Sequence, residues 1–373
     1  MHLHFIAGEI SGDTHAAGLI RELLILQPNL HITGLGGPKM QQVVGNGIFD
    51  WVQKAGVVGL WEVLKMYGFF KEKMNQSVSQ ILTEKPEGVV LVDYPGFNLR
   101  LAKALREAGY SGKLIYYISP QVWAWKKGRV KIMAKVLDLM ICIFPFEKDF
   151  YEKSGLPTVF GGHPMVDRVL TLRRNLAREP GLVGWFPGSR RNEVKKLFPT
   201  MLQASQRIRK EVPGVRFVVS AANEMLAETM RDIAEQVGVP EAKAWIEVGT
   251  VYDLMQRCQT GAVASGTATL EAACLGLPYA LVYHVNPLTY LAAKIVVRIE
   301  RIGMVNILAG RDVVKELVQS ALDPESLAQE MQSLLSDHER RQWLEHELAS
   351  VTTMLGQPGA YSRAAKAVVQ QLK

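Results

Sequence analysis

The sequence predicts an α/β protein built from two doubly wound units in tandem, and three observations lead there. Short apolar runs rich in β-branched residues alternate with longer segments of helical period along most of the chain. One charged, unpatterned stretch ending in Pro-Gly, LRRNLAREPG (172–181), interrupts the alternation near the middle and reads as a linker. Beyond it the same alternation begins again.

In chain order, strands are expected near 2–7, 31–35, 88–92, 113–118 and 138–144, with periodic helices such as 14–26 and 97–108 between them. The second series contains LVGWF (182–186), VRFVVSA (215–221), AWIEV (244–248), GAVA (261–264) and YALVY (279–283). From about 324 to the end the pattern is helical. Two such units imply a cleft, with ligands gathered at the carboxyl ends of the strands.

Composition narrows the class. A length of 373 residues suits two domains better than one core, and 48% hydrophobic with 21% charged residues excludes a disordered chain. Cys142, Cys258 and Cys274 form no CxxC pair and sit in apolar segments, as reduced core cysteines of a cytosolic protein do. MHLHFIAGE lacks the basic start and long apolar run of a signal peptide. The longest apolar candidate, 261–283, is broken by Glu271 and Pro278, so no spanning helix is expected. A formal net charge of +7 favours an anionic partner: a phosphorylated substrate, nucleic acid or an anionic bilayer surface.

Five strand-to-helix segments can carry chemistry. GEISGD (Gly8–Asp13) presents Glu9, Ser11 and Asp13 after the first strand. Its carboxylates would repel a diphosphate, so it suits a hydroxyl-rich ligand, or it is a turn with Asp13 as helix N-cap. Asp93 ends the apolar strand GVVLV, where it is either a general base for an incoming alcohol or a cap for the next helix. SPQVWAWKKGRVK interleaves Trp123 and Trp125 with Lys126, Lys127, Arg129 and Lys131, a composition that fits nucleic acid, phosphorylated lipid or a membrane interface, or two packed tryptophans. PGSR (Pro187–Arg190) opens a long helix whose amides, with Arg190 or Arg191, attract an anion. SGTATLE (Ser265–Glu271) repeats that logic: Ser265, Gly266 and Thr267 let a diphosphate approach, and Glu271 is placed for ribose hydroxyls. Walker and GxGxxG patterns are both missing.

No Asp-x-Asp pair occurs, which argues against a divalent-metal clamp and leaves arginine and helix dipoles to face a leaving diphosphate. His163 has no spaced partner histidine and reads as a turn residue rather than a ligand. Val57, Val58, Leu60, Trp61, Leu64, Phe69 and Phe70, flanked by lysines, make 57–70 either a buried helix or an exposed lipid patch.

GEISGD, DYPGFN, SPQVWAWKKGRVK, FPFEKDFY, PGSR with a following EV, SGTATLEAA and NILAGRDVVKELVQ occur in that order and resemble the lipid-A-disaccharide synthases over nearly the whole chain. The resemblance implies two Rossmann-like domains facing a cleft (GT-B-like), with C-terminal helices returning to the first. The expected division is 1–170 for the acceptor and lipid, 180–340 for the UDP-sugar and 341–373 for the returning helices. It implies an inverting, metal-independent hexosyltransferase that joins UDP-2,3-diacylglucosamine to 2,3-diacylglucosamine 1-phosphate and releases UDP, without a cofactor. Carried over position by position, it implies Asp93 as the base and Glu9 and Ser11 (with Asp13) as the acceptor-side loop. Arg190, Ser265, Gly266, Thr267, Glu271, Asn306 and Gln319 would hold the donor.

Amphiphilic substrates favour the lipid-patch reading of 57–70, peripheral association with the inner face of the cytoplasmic membrane, and no nucleic-acid partner. Homo-oligomers are compatible with all of this. The alternatives of similar fold are the N-acetylglucosaminyltransferase of the peptidoglycan lipid precursor, which opens on a glycine- and histidine-rich loop instead of GEISGD, and a UDP-sugar 2-epimerase, which has no use for a lipid patch. A non-catalytic nucleic-acid binder would exploit the basic tryptophan loop, yet no helix-turn-helix or OB pattern accompanies it.

Overall fold

The structure, a computed structural model, describes residues 1–55, 66–125, 128–286 and 301–373. They form two compact units: Met1–Pro164 with Leu355–Lys373, and Met165–Met354.

The first unit holds a parallel sheet of seven strands: β1 (His2–Ala7), β2 (His31–Gly36), β3 (Ile48–Asp50), β4 (Gly88–Val92), β5 (Lys113–Tyr117), β6 (Leu139–Cys142) and β7 (Thr158–Phe160). Their spatial order is 3-2-1-4-5-6-7, so the order reverses between β1 and β4. Side chains alternate as a pleated strand requires. Leu3, Phe5, Val90 and Val92 enter one apolar layer, and Ile6, Val89 and Leu91 enter the layer on the opposite face. Both faces are covered, which is why these strands read as continuous apolar runs. The helix Ala360–Gln371 lies in the first layer against the helix Ile10–Leu26, where Gly18 leaves room for the Tyr361 ring.

The second unit holds a parallel sheet of six: β8 (Glu179–Phe186), β9 (Arg216–Ala221), β10 (Ile246–Val248), β11 (Cys258–Ala264), β12 (Tyr279–Tyr283) and β13 (Glu316–Val318). Its order, 10-9-8-11-12-13, reverses between β8 and β11.

The departures from expectation have local causes. β3, β7 and β13 are three residues each, too short to show alternation. β8 begins inside the expected linker because Glu179 is drawn into the sheet edge by Arg257 at 2.7 Å and Arg216 at 3.0 Å. The helix His338–Met354 buries Leu344, Leu348 and Val351 within the second unit, so the chain re-enters the first at Leu355 and not at 341. The apolar stretch 261–283 is a strand, a helix and a strand. Among the described residues no helix is long and apolar enough to cross a membrane.

Candidate active site

In the first unit, β1 and β4 lie side by side with Ala7 opposite Val92, so Gly8-Glu9 and Asp93 leave the sheet together at its carboxyl edge, where the strand order reverses. Asp93 and Tyr94 are consecutive residues in the left-handed region, with φ of 47° and 50°. A non-glycine residue held there costs on the order of 1–3 kcal/mol, and the neighbours that hold it are explicit. The Asp93 amide donates to the Tyr117 carbonyl at 2.9 Å. The Asp93 carbonyl accepts from Tyr116 Oη at 2.5 Å and Asn98 Nδ2 at 2.7 Å. Tyr94 Oη donates to the Ala55 carbonyl at 2.8 Å, and its ring occupies the space a side chain at Gly8 would need.

The partly exposed Asp93 carboxyl is pushed up to about 6, first by burial and second by the negative charge of Glu9. Burial and the same Glu9 raise Tyr94 to about 12. Glu9 and Ser11 are exposed at the head of the helix Ile10–Leu26, in which Glu9 is the capping position but makes no side-chain cap.

Asp13 departs from both expectations for it. It is neither on the open loop nor the cap of its own helix. At 2% exposure it accepts from the amides of Gly37 (2.9 Å), Lys39 (2.9 Å) and Met40 (3.0 Å), capping the separate helix Pro38–Val44.

In the tryptophan loop the Trp123 side chain is packed and Lys131 is exposed. Trp123 lies 5.0 Å from Phe146, edge to face, and donates Nε1 to Glu147 at 3.0 Å. Glu147 is fully buried and its carboxyl is pushed up to about 7 by that burial, against hydrogen bonds from Trp123 and the Phe144 amide. The motifs containing Trp123 and Glu147 thus meet in one part-buried contact. Lys126 and Lys127 lie outside the described residues, as do Val57, Val58, Leu60, Trp61 and Leu64.

Phe69 and Phe70 are half-buried, each with its ring centroid 6.3 Å from that of Trp51. Trp51 is an unforeseen organiser, buried, donating its indole to the Ala7 carbonyl at 2.7 Å. His163 is buried, its amide bonded to the Leu355 carbonyl at 2.8 Å. Burial, then the charge of His15, hold its imidazole down to about 3.

In the second unit, β8 and β11 are neighbours at the second reversal of strand order, and PGSR and SGTATLE follow them. Each loop turns on a glycine in positive φ, Gly188 at 101° and Gly266 at 141°, and each feeds a helix, Arg191–Glu211 and Thr267–Cys274. Arg190 is exposed at the cap of the first helix and reaches Glu193 Oε1 at 3.0 Å. Ser265 bonds through its amide to the Val282 carbonyl, and Gly266 and Thr267 are exposed.

Glu271 has company that the sequence did not announce. Tyr252 donates to its Oε1 at 2.6 Å, and Arg168, stacked 5.6 Å over the Tyr252 ring, reaches the same oxygen at 3.7 Å. Both of those contacts use Oε1.

Asn306, expected on the donor side, has internal partners. It is 1% exposed and saturated: Nδ2 donates to the Val314 carbonyl and Glu316 Oε1, and Oδ1 accepts from the Val313 and Val314 amides. Its side chain clamps the 306–316 loop. Gln319, at φ 55°, pairs through both ends of its amide with the Val285 backbone, at 2.7 and 3.2 Å. Its first role is equally internal. Among the described residues no group of three or more His, Cys, Asp or Glu side chains is arranged to hold a metal ion.

A family model described as lipid-A-disaccharide synthetase matches residues 3–371. The chain is 40% identical over 375 residues to the lipid-A-disaccharide synthase of Geobacter sulfurreducens, covering 98% of this chain and 96% of that one. It is 38% identical over 379 residues to the enzyme of the same name from Nitrosococcus oceani, covering 99% and 95%. Similar solved structures include a putative UDP-N-acetylglucosamine 2-epimerase from Listeria monocytogenes (TM-score 0.63, 14% identity, covering 99% and 94%). MurG from Acinetobacter baumannii is also similar (TM-score 0.58, 14% identity, covering 99% of each chain). At those identities the structural likeness is one of fold alone, the GT-B arrangement of glycosyltransferases and epimerases.

Proposed function

The chain belongs to the lipid-A-disaccharide synthetase family, glycosyltransferases of lipid A biosynthesis that use a UDP-sugar, and proceeding from that membership we propose its substrates and the residues that act on them. The donor is UDP-2,3-diacylglucosamine and the acceptor 2,3-diacylglucosamine 1-phosphate. Asp93 takes the proton of the acceptor's 6-hydroxyl as that oxygen bonds to the donor's anomeric carbon. The bond from that carbon to UDP breaks in the same displacement. One displacement inverts the centre, needs one base and forms no covalent intermediate.

The observation that carries this reading is the Asp93 carboxyl itself: at a strand's carboxyl edge, fixed by a doubly left-handed turn, and raised to about 6 by burial and Glu9. Such a carboxylate is mostly ionised at neutral pH, yet more basic than an ordinary one, which suits a general base. Glu9 and Ser11 line the acceptor side in this reading. Arg190, Ser265, Gly266 and Thr267 face the UDP phosphates, helped by the positive ends of the helices Arg191–Glu211 and Thr267–Cys274. Glu271 accepts from the ribose through the oxygen that Tyr252 and Arg168 do not engage. The reaction proceeds without added metal, and the protein associates peripherally with the inner face of the cytoplasmic membrane.

The test is UDP release from UDP-2,3-diacylglucosamine in detergent, with and without acceptor, in the presence of EDTA. Release that requires acceptor and yields a disaccharide phosphate is expected, and loss of turnover to EDTA would refute the metal-free reading. Asp93→Asn is expected to lower kcat by roughly 10²–10⁴-fold with an unchanged melting temperature. Near-normal turnover of that variant would remove Asp93 as the base.

A further inference from the structure

A groove of about 540 Å³ runs between the helices Tyr67–Glu84 and Pro95–Glu107 in the first unit. That volume is in the range of small-molecule sites, ~300–1,000 Å³. It begins at Tyr94, the residue after Asp93, and follows the second helix to Ala104, a length of roughly 15 Å at the helical rise. Phe70, Met74 and Phe97 make its walls. They are apolar and, in Met74, adaptable. Lys71 and Arg100 line it too, both exposed, and no carboxylate does among the described residues. Among the described residues neither cation has an ion-pair partner.

The groove's near end is rigid. The Tyr94 ring is tied to Ala55 at 2.8 Å and lies 6.0 Å from Trp51 and 6.3 Å from Phe97. An apolar channel with a cationic border, starting one residue from the candidate base, matches an amphiphile whose head is anionic and whose tail is hydrocarbon. We propose that this groove binds one acyl chain of the acceptor, with Lys71 and Arg100 attracting its phosphate, and that Ala104 at the far end limits the chain length accepted. The inference rests on the acceptor proposed above, and it goes further by naming where a tail is held.

Binding measured apart from turnover separates the two ideas. The probe is 2,3-diacylglucosamine 1-phosphate in a series of acyl lengths, titrated below its critical micelle concentration by calorimetry. For the intact protein, Kd is expected to fall roughly fourfold for each added methylene (~0.8 kcal/mol each) until the groove is full. Ala104→Phe is expected to weaken long-chain binding by about tenfold while short-chain binding holds, so the length dependence flattens. Met74→Trp, on the opposite wall, gives the same readout should the first variant not fold. Arg100→Gln is expected to weaken the phosphorylated probe more than its dephosphorylated form. Identical length dependence in the intact protein and the filled variants would overturn the assignment and place the tail elsewhere. Turnover of the same probes with UDP-2,3-diacylglucosamine is scored separately: tight, length-dependent binding without UDP release would sink the acceptor reading and leave the groove standing.

Discussion

Three carboxylates of this chain, Asp13, Asp93 and Glu147, show how little a residue's position behind a strand says about its task. Asp13 spends its oxygens on three backbone amides of another helix. Asp13→Ala leaves those donors unpaired, and a loss on the order of 3 kcal/mol is expected from urea unfolding. Asp93 keeps a partly exposed carboxyl beside Glu9, and its shift sets an expected pH profile. As a base it must be ionised, so log(kcat/KM) is expected to rise with pH and level off above an apparent pKa near 6. Glu9→Gln removes the second cause of the shift and is expected to move that limb toward lower pH; an unmoved limb would assign it to another group. From the sequence Asp93 is open between base and cap, because its strained backbone and its neighbour Glu9, eighty-four residues away, leave no local signal. Glu147 was legible only as part of a motif, since nothing local says that Trp123 will donate to it.

At the scale of elements, period and loop chemistry were readable and closure was not. The strands of five or more residues carry their own apolar runs, and they were found within a residue or two, apart from β8 and β11, each of which starts three residues earlier than expected. β3, β7 and β13 exist because a neighbouring strand supplies their hydrogen bonds, as β2, β6 and β12 do. The segment NILAGRDVVKELVQ is the sharpest case. Its asparagine and glutamine are polar residues in a family-specific motif expected on the donor side, and both also hold loops through bonds that no local pattern announces. Asn306→Ala breaks four hydrogen bonds at a site 1% exposed. The expected outcome is a stability loss of several kcal/mol on equilibrium unfolding. A selective rise in donor KM with unchanged stability would instead assign it a direct donor contact. Glu271→Gln is expected to do the reverse, raising donor KM with little effect on unfolding.

For the whole molecule, buried titratable groups make stability depend on pH in opposing directions. Burial holds His4 down to about 4, so its neutral form is the folded one. Stability from this group is present above about 6.5 and is lost as pH falls toward 4, by on the order of 3 kcal/mol. Glu147 is raised to about 7, so its contribution is full below about 4.5 and is lost as pH rises through 7. The two partly cancel between pH 4.5 and 6.5. His4→Gln should flatten the acid-side loss and Glu147→Gln should steepen it, in urea unfolding across pH 4 to 7.5. Ligand linkage supplies a second whole-molecule check. UDP at about a hundred times its Kd is expected to stabilise the protein by roughly 2.7 kcal/mol, seen as an upward shift of the melting transition.

The order of strands and helices, the two doubly wound units and the loops that follow β1, β4, β8 and β11 were determined by the sequence itself. Hydrophobic period, glycine placement and breakers act over a few residues, and a reader of the chain sees them directly. The tertiary structure alone decided which polar side chains remain for a ligand. Asp13 is bound to the amides of Gly37, Lys39 and Met40, Asn306 to residues 313–316 of its own loop, and Tyr252 and Arg168 are brought to Glu271. Packing also shapes the groove beside Tyr94, whose walls come from two helices that neither sequence period nor motif relates. A hydrogen bond or a desolvated carboxyl depends on what lies within a few ångströms, and that is set only when distant parts of the chain are packed together.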